Sequence, residues 1–172
     1  MIYGFTHTNK GHWNLCHIPL LPVTGTPTPG DYCSPFSHER ESAAPGYYQV
    51  FLDRYGVDAQ LSSTLRCAFH KYTYPAGAAA SLLADLQRSN EHVRAWDIRK
   101  EGDNVFAGWQ QTGEKMYFYA VANRPVTGIE PVVEGDREVR IVRFGEGDGA
   151  LELRIGFSFV SEKNARENLE AE

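Results

Sequence analysis

Residues 47–65 read YYQVFLDRYGVDAQLSSTL, and this stretch decides the fold class. Residues 47–52 are rich in aromatic and β-branched side chains, which favours a strand. Residues 53–56 end in a glycine after an aspartate and a tyrosine, as turns often do. In residues 57–61 apolar and polar side chains then alternate, which is typical of a half-buried strand. The stretch therefore predicts two antiparallel strands joined by a tight turn.

Runs of the same kind follow along the rest of the chain. They predict further strands over residues 67–74, 81–86, 92–98, 104–111, 115–123, 138–144 and 151–159. Turn signals rich in glycine separate several of these runs, at residues 101–104, 112–114 and 145–149. Residues 81–86 also have helix propensity, but they lack a helix cap and have β neighbours on both sides. The spacing predicts an all-β fold, an antiparallel β-sandwich built from hairpins.

Two segments depart from this pattern. Residues 25–42 carry three prolines and two glycines and are predicted to form a long irregular excursion. Residues 161–172 predict a short C-terminal helix, with Ser161 as its N-cap and Glu162 near the positive end of its dipole. Residues 1–172 are thus predicted to form a single β-sandwich domain. Both ends look cut, so we expect a piece of a larger protein.

The composition is that of a folded protein and excludes several functions. The 9 Tyr, 9 Phe and 3 Trp among the 172 residues exclude intrinsic disorder. A net charge of −5, with Lys and Arg scattered along the chain, excludes nucleic acid as a partner. No apolar run reaches the roughly 20 residues of a membrane span, and no signal peptide is recognisable. Cys16, Cys33 and Cys67 lack a CxxC spacing, so they are interpreted as free thiols, with a Cys16–Cys33 disulfide as the alternative.

The opening segment, residues 2–13, is the best candidate for a binding site. It brings His7, Asn9, His12 and Trp13 into a strand that becomes a loop around Gly11. An indole face stacks on the C–H groups of a sugar, while imidazoles and amides hydrogen-bond its hydroxyl groups. This combination predicts a carbohydrate-binding rim, although Trp13 could also close the end of the sandwich.

The same region also raises the question of a metal site. His7, His12, Cys16 and His17 are metal-ligand types, but their spacing of five, four and one does not match a short metal motif. Two interpretations remain beside the metal site. The histidines belong to the core as hydrogen-bonded side chains, or they line a ligand-binding rim. For this chain alone we predict no metal and no cofactor.

No constellation in the sequence has the pattern of a catalytic centre. Residues 37–41 place Ser, His and acids side by side, and adjacent residues cannot fold back into a triad, so we interpret them as a local ion-pair and hydrogen-bond lock. A pair of catalytic carboxylates would need one acid in an apolar setting. Asp85 and Asp97 come closest, and both could equally face solvent at the edge of a strand. Trp96 and Trp109 lie in strand patterns and are interpreted as core residues.

Five segments, taken in order, resemble motifs in the amino-terminal part of glycoside hydrolase family 92, the calcium-dependent exo-acting α-mannosidases, which implies part of the N-terminal domain of a larger glycosidase. Gly4-Phe5-Thr6-His7-Thr8 is similar to the family's glycine-phenylalanine-serine-histidine-threonine motif. The other four are residues 18–25, residues 37–41 with 44–48, Arg66 with residues 69–75, and residues 156–169. Together they cover nearly the whole chain, and the ordered set is specific.

The resemblance implies a β-sandwich that packs on a helical (α/α)₆ barrel, with the active site between the two domains and hydrolysis that inverts the anomeric centre. In the family the acid, the base and most calcium ligands come from the helical domain, which this sequence lacks. The resemblance therefore implies calcium in the intact enzyme and an intact protein that is secreted or periplasmic in bacteria. Residues 9–16 depart from the family pattern, which leaves open whether the linkage cleaved is α-1,2 or another.

Three functions follow from these observations. The leading hypothesis is a non-catalytic part of an α-mannosidase, in which His7, Asn9, His12 and Trp13 form one wall of the pocket for terminal α-mannosides. The second is a stand-alone carbohydrate-binding module, and the third is a sandwich that only supports a catalytic domain. On the first hypothesis the chain alone is inactive. We also expect self-association through exposed sheet edges or through the surface that the helical domain would cover.

Overall fold

The computed structural model describes residues 1–10, 13–147 and 149–172, with the backbone alone for residues 9, 10 and 13. The strands are β1 (Asn9–Lys10), β2 (Trp13–Asn14), β3 (Leu20–Val23), β4 (Glu41–Ala44), β5 (Tyr47–Leu52), β6 (Val57–Ser63), β7 (Cys67–Thr73), β8 (Ser81–Ala84), β9 (Ala95–Lys100), β10 (Val105–Gln111), β11 (Lys115–Ala122), β12 (Val126–Glu134), β13 (Arg137–Phe144) and β14 (Leu151–Ser158). A 3₁₀ helix, His38–Arg40, precedes β4, and the α-helix α1, Glu162–Ala171, follows β14.

The strands form two main antiparallel sheets. The larger sheet has eight strands in the order β4-β5-β6-β7-β14-β11-β10-β9, and the smaller has four in the order β12-β13-β8-β3. Strands β1 and β2 pair only with each other. The prediction of an all-β sandwich with a short C-terminal helix is confirmed.

The stretch that predicted the fold forms the expected pair of strands. β5 pairs with β6, and Leu52 lies opposite Val57 across the predicted turn. Val57 and Ala59 of β6 are buried, as the alternation predicts. The clearest alternation is that of β11, in which every second residue from Met116 to Ala122 is buried.

The core lies between the two sheets. Phe106 of β10 contacts Phe118 of β11 edge-on, with ring centroids 6.2 Å apart. It also contacts Phe144 of β13 in the smaller sheet, at 6.3 Å. All four residues of β8 are buried, because this strand lies inside the smaller sheet and is covered on both faces. The prediction of a strand rather than a helix at residues 81–86 is therefore confirmed over Ser81–Ala84.

Gly156 allows α1 to pack directly on β14. A Cβ at this position would lie 2.1 Å from the carbonyl oxygen of Ala165, so no other residue fits without moving the helix. Ser161 caps the helix as predicted, since its side chain accepts a hydrogen bond from the Asn164 amide. Asn168 donates to the carbonyl of Phe157 at 2.7 Å and fixes the helix to the end of the strand. No helix in the described ranges is both long and apolar enough to span a membrane.

Strands β4 and β12 are among those that the sequence pattern missed. Both are edge strands, and most of their side chains are exposed, so neither shows the apolar alternation that marks a half-buried strand. β12 also contains Pro131, which an edge strand tolerates because its outer amide has no partner to lose. Trp96 packs against the core and is only partly buried, and Trp109 is also half-buried, with the Lys115 Nζ 3.5 Å from its ring centroid.

Candidate functional site

A groove of about 890 Å³ lies beside the opening segment, at one end of the larger sheet. Its lining combines the opening segment with the β4–β5 turn, the β6–β7 turn, the end of β14 and one face of α1. The lining residues include Phe5, Thr6, His7, Thr8, Asn14, Tyr47, Tyr48, Thr64, Leu65, Arg66, His70, Phe157, Phe159, Val160, Asn164 and Asn168. The groove is thus polar along residues 6–8 and along the helix, and apolar at Tyr47, Leu65, Phe159 and Val160.

The opening segment folds back on itself to form one side of this groove. Asn9 pairs with Asn14 and Lys10 with Trp13, while Phe5 and Leu20 exchange two backbone hydrogen bonds at the edge of β3. Residues 14–18 lead from the first of these pairings to the second, and we call them the returning arm. This arm is irregular, because Cys16 and Ile18 both have positive φ, at 55° and 50°. A positive φ is costly for a β-branched residue and persists only where its surroundings enforce it.

Gln110 of β10 enforces this backbone. Its side-chain oxygen accepts from the Ile18 amide at 2.8 Å, and its amide nitrogen donates to the carbonyls of Leu86 and Arg88, both at 2.9 Å. Gln110 is fully buried, so water cannot replace these bonds. The side chain therefore joins the returning arm to the loop that follows β8.

The loop that follows β8 also binds the returning arm at Leu15 and Asn14. Ser89 Oγ donates to the carbonyl of Leu15 at 2.7 Å, and the Asn90 side chain donates to the carbonyl of Asn14 at 2.6 Å. His17 is buried and contacts Thr112 and Glu91 through its Nε2, at 3.1 and 3.3 Å. The arm is thus fixed from the side facing away from the groove.

His7 lies on the groove and takes part in a chain of hydrogen bonds. Its Nδ1 is 2.9 Å from the carbonyl oxygen of Ile18, and its Nε2 is 3.2 Å from the Nε2 of His70. The Nδ1 of His70 is in turn 2.7 Å from the hydroxyl of Tyr72. Burial lowers the pKa of His7 to about 4 and also lowers the pKa of His70, so both imidazoles are neutral at pH 7.

A comparison with protein-family models identifies the chain. The model of the glycosyl hydrolase family 92 N-terminal domain matches residues 1–165. The chain belongs to glycoside hydrolase family 92. None of the curated protein sequences is significantly similar to it.

Solved structures of family 92 proteins share the fold. A family 92 α-mannosidase from Bacteroides thetaiotaomicron has a TM-score of 0.81 and 24% identity, over 91% of this chain and 26% of that one. A family 92 inverting mannosidase from the same organism has a TM-score of 0.75 and 21% identity, over 90% and 23%. A further family 92 glycosyl hydrolase has a TM-score of 0.81 and 24% identity, over 98% and 27%. This chain therefore spans about a quarter of the length of the structures it matches.

The family 92 motifs meet at the groove. Of the five segments that resemble the family, four contribute lining residues: residues 4–8, 44–48, 66–75 and 156–169. The sequence analysis did not name His70 as a site residue. Its place in the fourth motif was the available signal, but only the fold shows that it reaches His7.

The four predicted sugar-binding residues differ in what the structure says of them. His7 lines the groove, and both its ring nitrogens are engaged within the protein. Asn9 and Trp13 lie on β1 and β2, where the backbone alone is described, and His12 lies outside the described residues. Their contact with a sugar stays a prediction.

The metal-site interpretation finds no support in the described residues. His7 and His17 make separate contacts, with His70 and with Glu91 and Thr112. Within residues 1–10, 13–147 and 149–172, no group of three or more His, Cys, Asp or Glu side chains could hold a metal ion. Calcium in the intact enzyme, with ligands mostly outside this chain, stays a prediction. Cys16, Cys33 and Cys67 are free thiols, so the alternative of a disulfide is wrong.

The other polar residues considered in the sequence, residues 37–41, Asp85 and Asp97, make contacts within the protein. His38 pairs with Glu41, and Arg40 with Asp53, which confirms the predicted local lock. Asp85 does not face solvent: it is fully buried, and its Oδ2 accepts from the Tyr32 hydroxyl at 2.6 Å and from Arg137 at 2.7 Å. Tyr32, from the irregular stretch between β3 and β4, and Arg137, from β13, make this burial possible. Asp97 is half exposed and lies 3.4 Å from Arg99.

Proposed function

We propose that this family 92 domain forms one wall of a pocket for terminal α-mannosides and contributes no catalytic group. The observation that carries the proposal is the convergence of four family motifs on a single groove beside the opening segment. These segments place polar side chains on an open surface, where the packing of the core does not require them.

The chemistry of the groove suits binding rather than hydrolysis. Hydroxyl, amide and guanidinium groups of Thr6, Asn14 and Arg66 line it, and such groups hydrogen-bond sugar hydroxyls. Inverting hydrolysis needs two carboxyl groups ~6.5–9.5 Å apart. No Asp or Glu is found among the described residues that line the groove. The catalytic acid and base would therefore come from a second domain.

The apolar part of the groove supports contact with that second domain. Leu65 is 91% exposed and Val160 is 75% exposed, and Phe159 and Tyr47 are partly exposed beside them. Contiguous exposed apolar side chains mark interaction surfaces. In this arrangement the helical domain of a family 92 enzyme covers the apolar end, and the sugar lies at the polar end, next to the opening segment.

Two measurements test the proposal. The isolated chain should not hydrolyse mannobiose or an aryl α-mannoside with calcium present, and turnover abolished by mutating an acid of this chain would refute it. Calorimetric titration of the chain with mannobiose tests the alternative, since binding in the millimolar range or tighter would favour a stand-alone carbohydrate-binding module.

A substitution in a protein that carries this domain with a family 92 helical domain separates a pocket wall from a mere support. Trp13→Ala should lower kcat/KM by about 1–3 kcal/mol of transition-state stabilisation, the range of an aromatic contact. Trp109→Ala is the matched control, because Trp109 packs under Lys115 and does not line the groove. It should lower stability and leave kcat/KM unchanged. Equal effects of both variants on stability alone would contradict the proposal.

A further inference from the structure

His7, His70 and Tyr72 form a continuous hydrogen-bond chain under the polar end of the groove. We propose that His70 and Tyr72 are positioning residues, which fix His7 in one tautomer and so hold groove-lining residues 6–8 in place only while both imidazoles are neutral. The relevance of this device to a sugar rests on the proposed function. Its existence does not, and the tests below therefore use no sugar.

The contacts allow one arrangement of hydrogens. The Ile18 carbonyl oxygen can only accept, so the Nδ1 of His7 must carry the hydrogen. In a neutral imidazole the other nitrogen then accepts, which requires His70 to donate from its Nε2. The Nδ1 of His70 is left as an acceptor, and the Tyr72 hydroxyl donates to it. Each group thus determines the next, from Tyr72 to the carbonyl of Ile18.

An added proton leaves one hydrogen of this chain without an acceptor. The neutral imidazoles and Tyr72 supply three hydrogens for three contacts. With a fourth hydrogen, either two N–H groups face each other across 3.2 Å at the Nε2 atoms, or the Nδ1 of His70 donates to Tyr72 and the buried hydroxyl loses its acceptor. The groups around the pair offer no compensation. Phe5 and Phe157 contact the rings, Tyr72 is fully buried on β7, and the nearby backbone group is the carbonyl of His17. None of the described residues in contact with the pair is a carboxylate.

The part that responds is the start of the opening segment. Residues 6–8 are joined to residues 14–18 by the His7 ring, by a side-chain bond from Thr6 Oγ1 to Asn14 Oδ1 at 3.1 Å, and by two long backbone bonds, His7 N to His17 O and Leu15 N to Thr8 O, both at 3.3 Å. Phe5 is held more tightly, by bonds of 2.8 and 3.1 Å to Leu20. Loss of the ring contact should therefore loosen residues 6–8 and 14–15 and leave the segment attached at Phe5.

The tautomers give the first test. Long-range ¹H–¹⁵N correlation spectra of the chain with ¹⁵N-labelled histidine, at pH 7, should show His7 with its hydrogen on Nδ1 and His70 with its hydrogen on Nε2. Tyr72→Phe removes the donor to His70 and should shift the His70 signals toward a mixture of tautomers. The reverse tautomers, or a charged imidazole at pH 7, would overturn the proposal.

Hydrogen exchange across the pH range gives the second test. Between pH 6.5 and 4 the protection factors of the His7 and Leu15 amides in the wild-type chain should fall at least tenfold, and at every pH they should stay well below that of Ile155 in β14. His70→Gln keeps a donor at the Nε2 position and can turn its amide to accept, so it should match wild type at pH 7 and show a smaller acid response, because His7 is then the one imidazole of the pair left to protonate.

His70→Leu keeps neither group and should lower the protection of the His7 and Leu15 amides already at pH 7. If this variant does not fold, His70→Gln and the tautomer spectra still test the positioning role of His70. Protection of the His7 and Leu15 amides equal to that of Ile155 at pH 4 would mean that all three exchange by global unfolding, and it would overturn a local positioning role. An acid response in His70→Gln as large as that of wild type would overturn it as well.

Discussion

Substitution of Gln110 by methionine should destabilise the domain more than any other replacement of a polar side chain by an apolar one of similar size near the groove. Methionine fills nearly the same space, so packing changes little. The variant removes three hydrogen bonds, one from the Ile18 amide and one each to the carbonyls of Leu86 and Arg88. All three backbone groups lose their partner in the interior.

The magnitude follows from these three groups. A buried polar group that loses its partner costs about 1–3 kcal/mol. Three groups give about 3–9 kcal/mol, and relaxation of the positive φ at Ile18 returns about 1–3 kcal/mol. We therefore expect a net loss near 4 kcal/mol, which for a domain of this size lowers Tm by roughly 8–16 °C.

The assay is urea and thermal unfolding followed by circular dichroism, with Gln60→Met as the matched control. Gln60 also makes a side-chain hydrogen bond, but its partner is the nearby Asp58 on the partly exposed face of β6, so the control should lose less than about 1 kcal/mol. The Ile18 amide should also exchange much faster in Gln110→Met than in wild type. If the two variants lose the same stability, Gln110 does not hold the returning arm.

Three further predictions concern stability. Gly156→Ala should cost about 1–3 kcal/mol in urea unfolding, because the added Cβ meets the Ala165 carbonyl of α1. Gly113→Ala is the control and should be near neutral, because an added Cβ there has nothing within 4 Å. Similar losses of stability in both variants would contradict the packing argument. Asp85→Ala should cost about 1–3 kcal/mol, because it leaves the buried Tyr32 hydroxyl without its acceptor, and Asp97→Ala, at a half-exposed position, should cost under about 0.5 kcal/mol; the reverse order would refute the assigned burial. The free energy of unfolding should fall by about 3 kcal/mol as pH drops from 6.5 to 4. In this window the unfolded chain binds a proton at His7, whose ordinary pKa is 6.5, whereas the folded chain binds it only near a pKa of about 4. Unfolding titrations at several pH values check this, and a stability that does not change over that window would show that His7 is not buried as a neutral base.

Much of the fold could be predicted from short-range patterns. The alternation in residues 57–61, the run at 47–52 and the cap at Ser161 each depend on neighbours a few residues away, and the structure reproduces all three. Edge strands such as β12 could not be predicted from the pattern. An exposed strand forms by pairing with its neighbour and does not need regularly spaced apolar residues. The candidate groove was located in part, through His7 in the opening segment and through the family motifs, while the contact of Asn9, His12 and Trp13 with a sugar stays a prediction.

The sequence by itself thus determined the fold class, the family and the segment in which to look for a site. Only the tertiary structure decided which side chains meet there: His7 reaches His70, 63 residues away, and Ile18 reaches Gln110, 92 residues away. Periodicity is a local property, and it is the same for many orders of the strands. Burial of the common core selects one strand order, and that order brings a histidine of β7 beneath the opening segment and turns Asp85 inward to Tyr32 and Arg137.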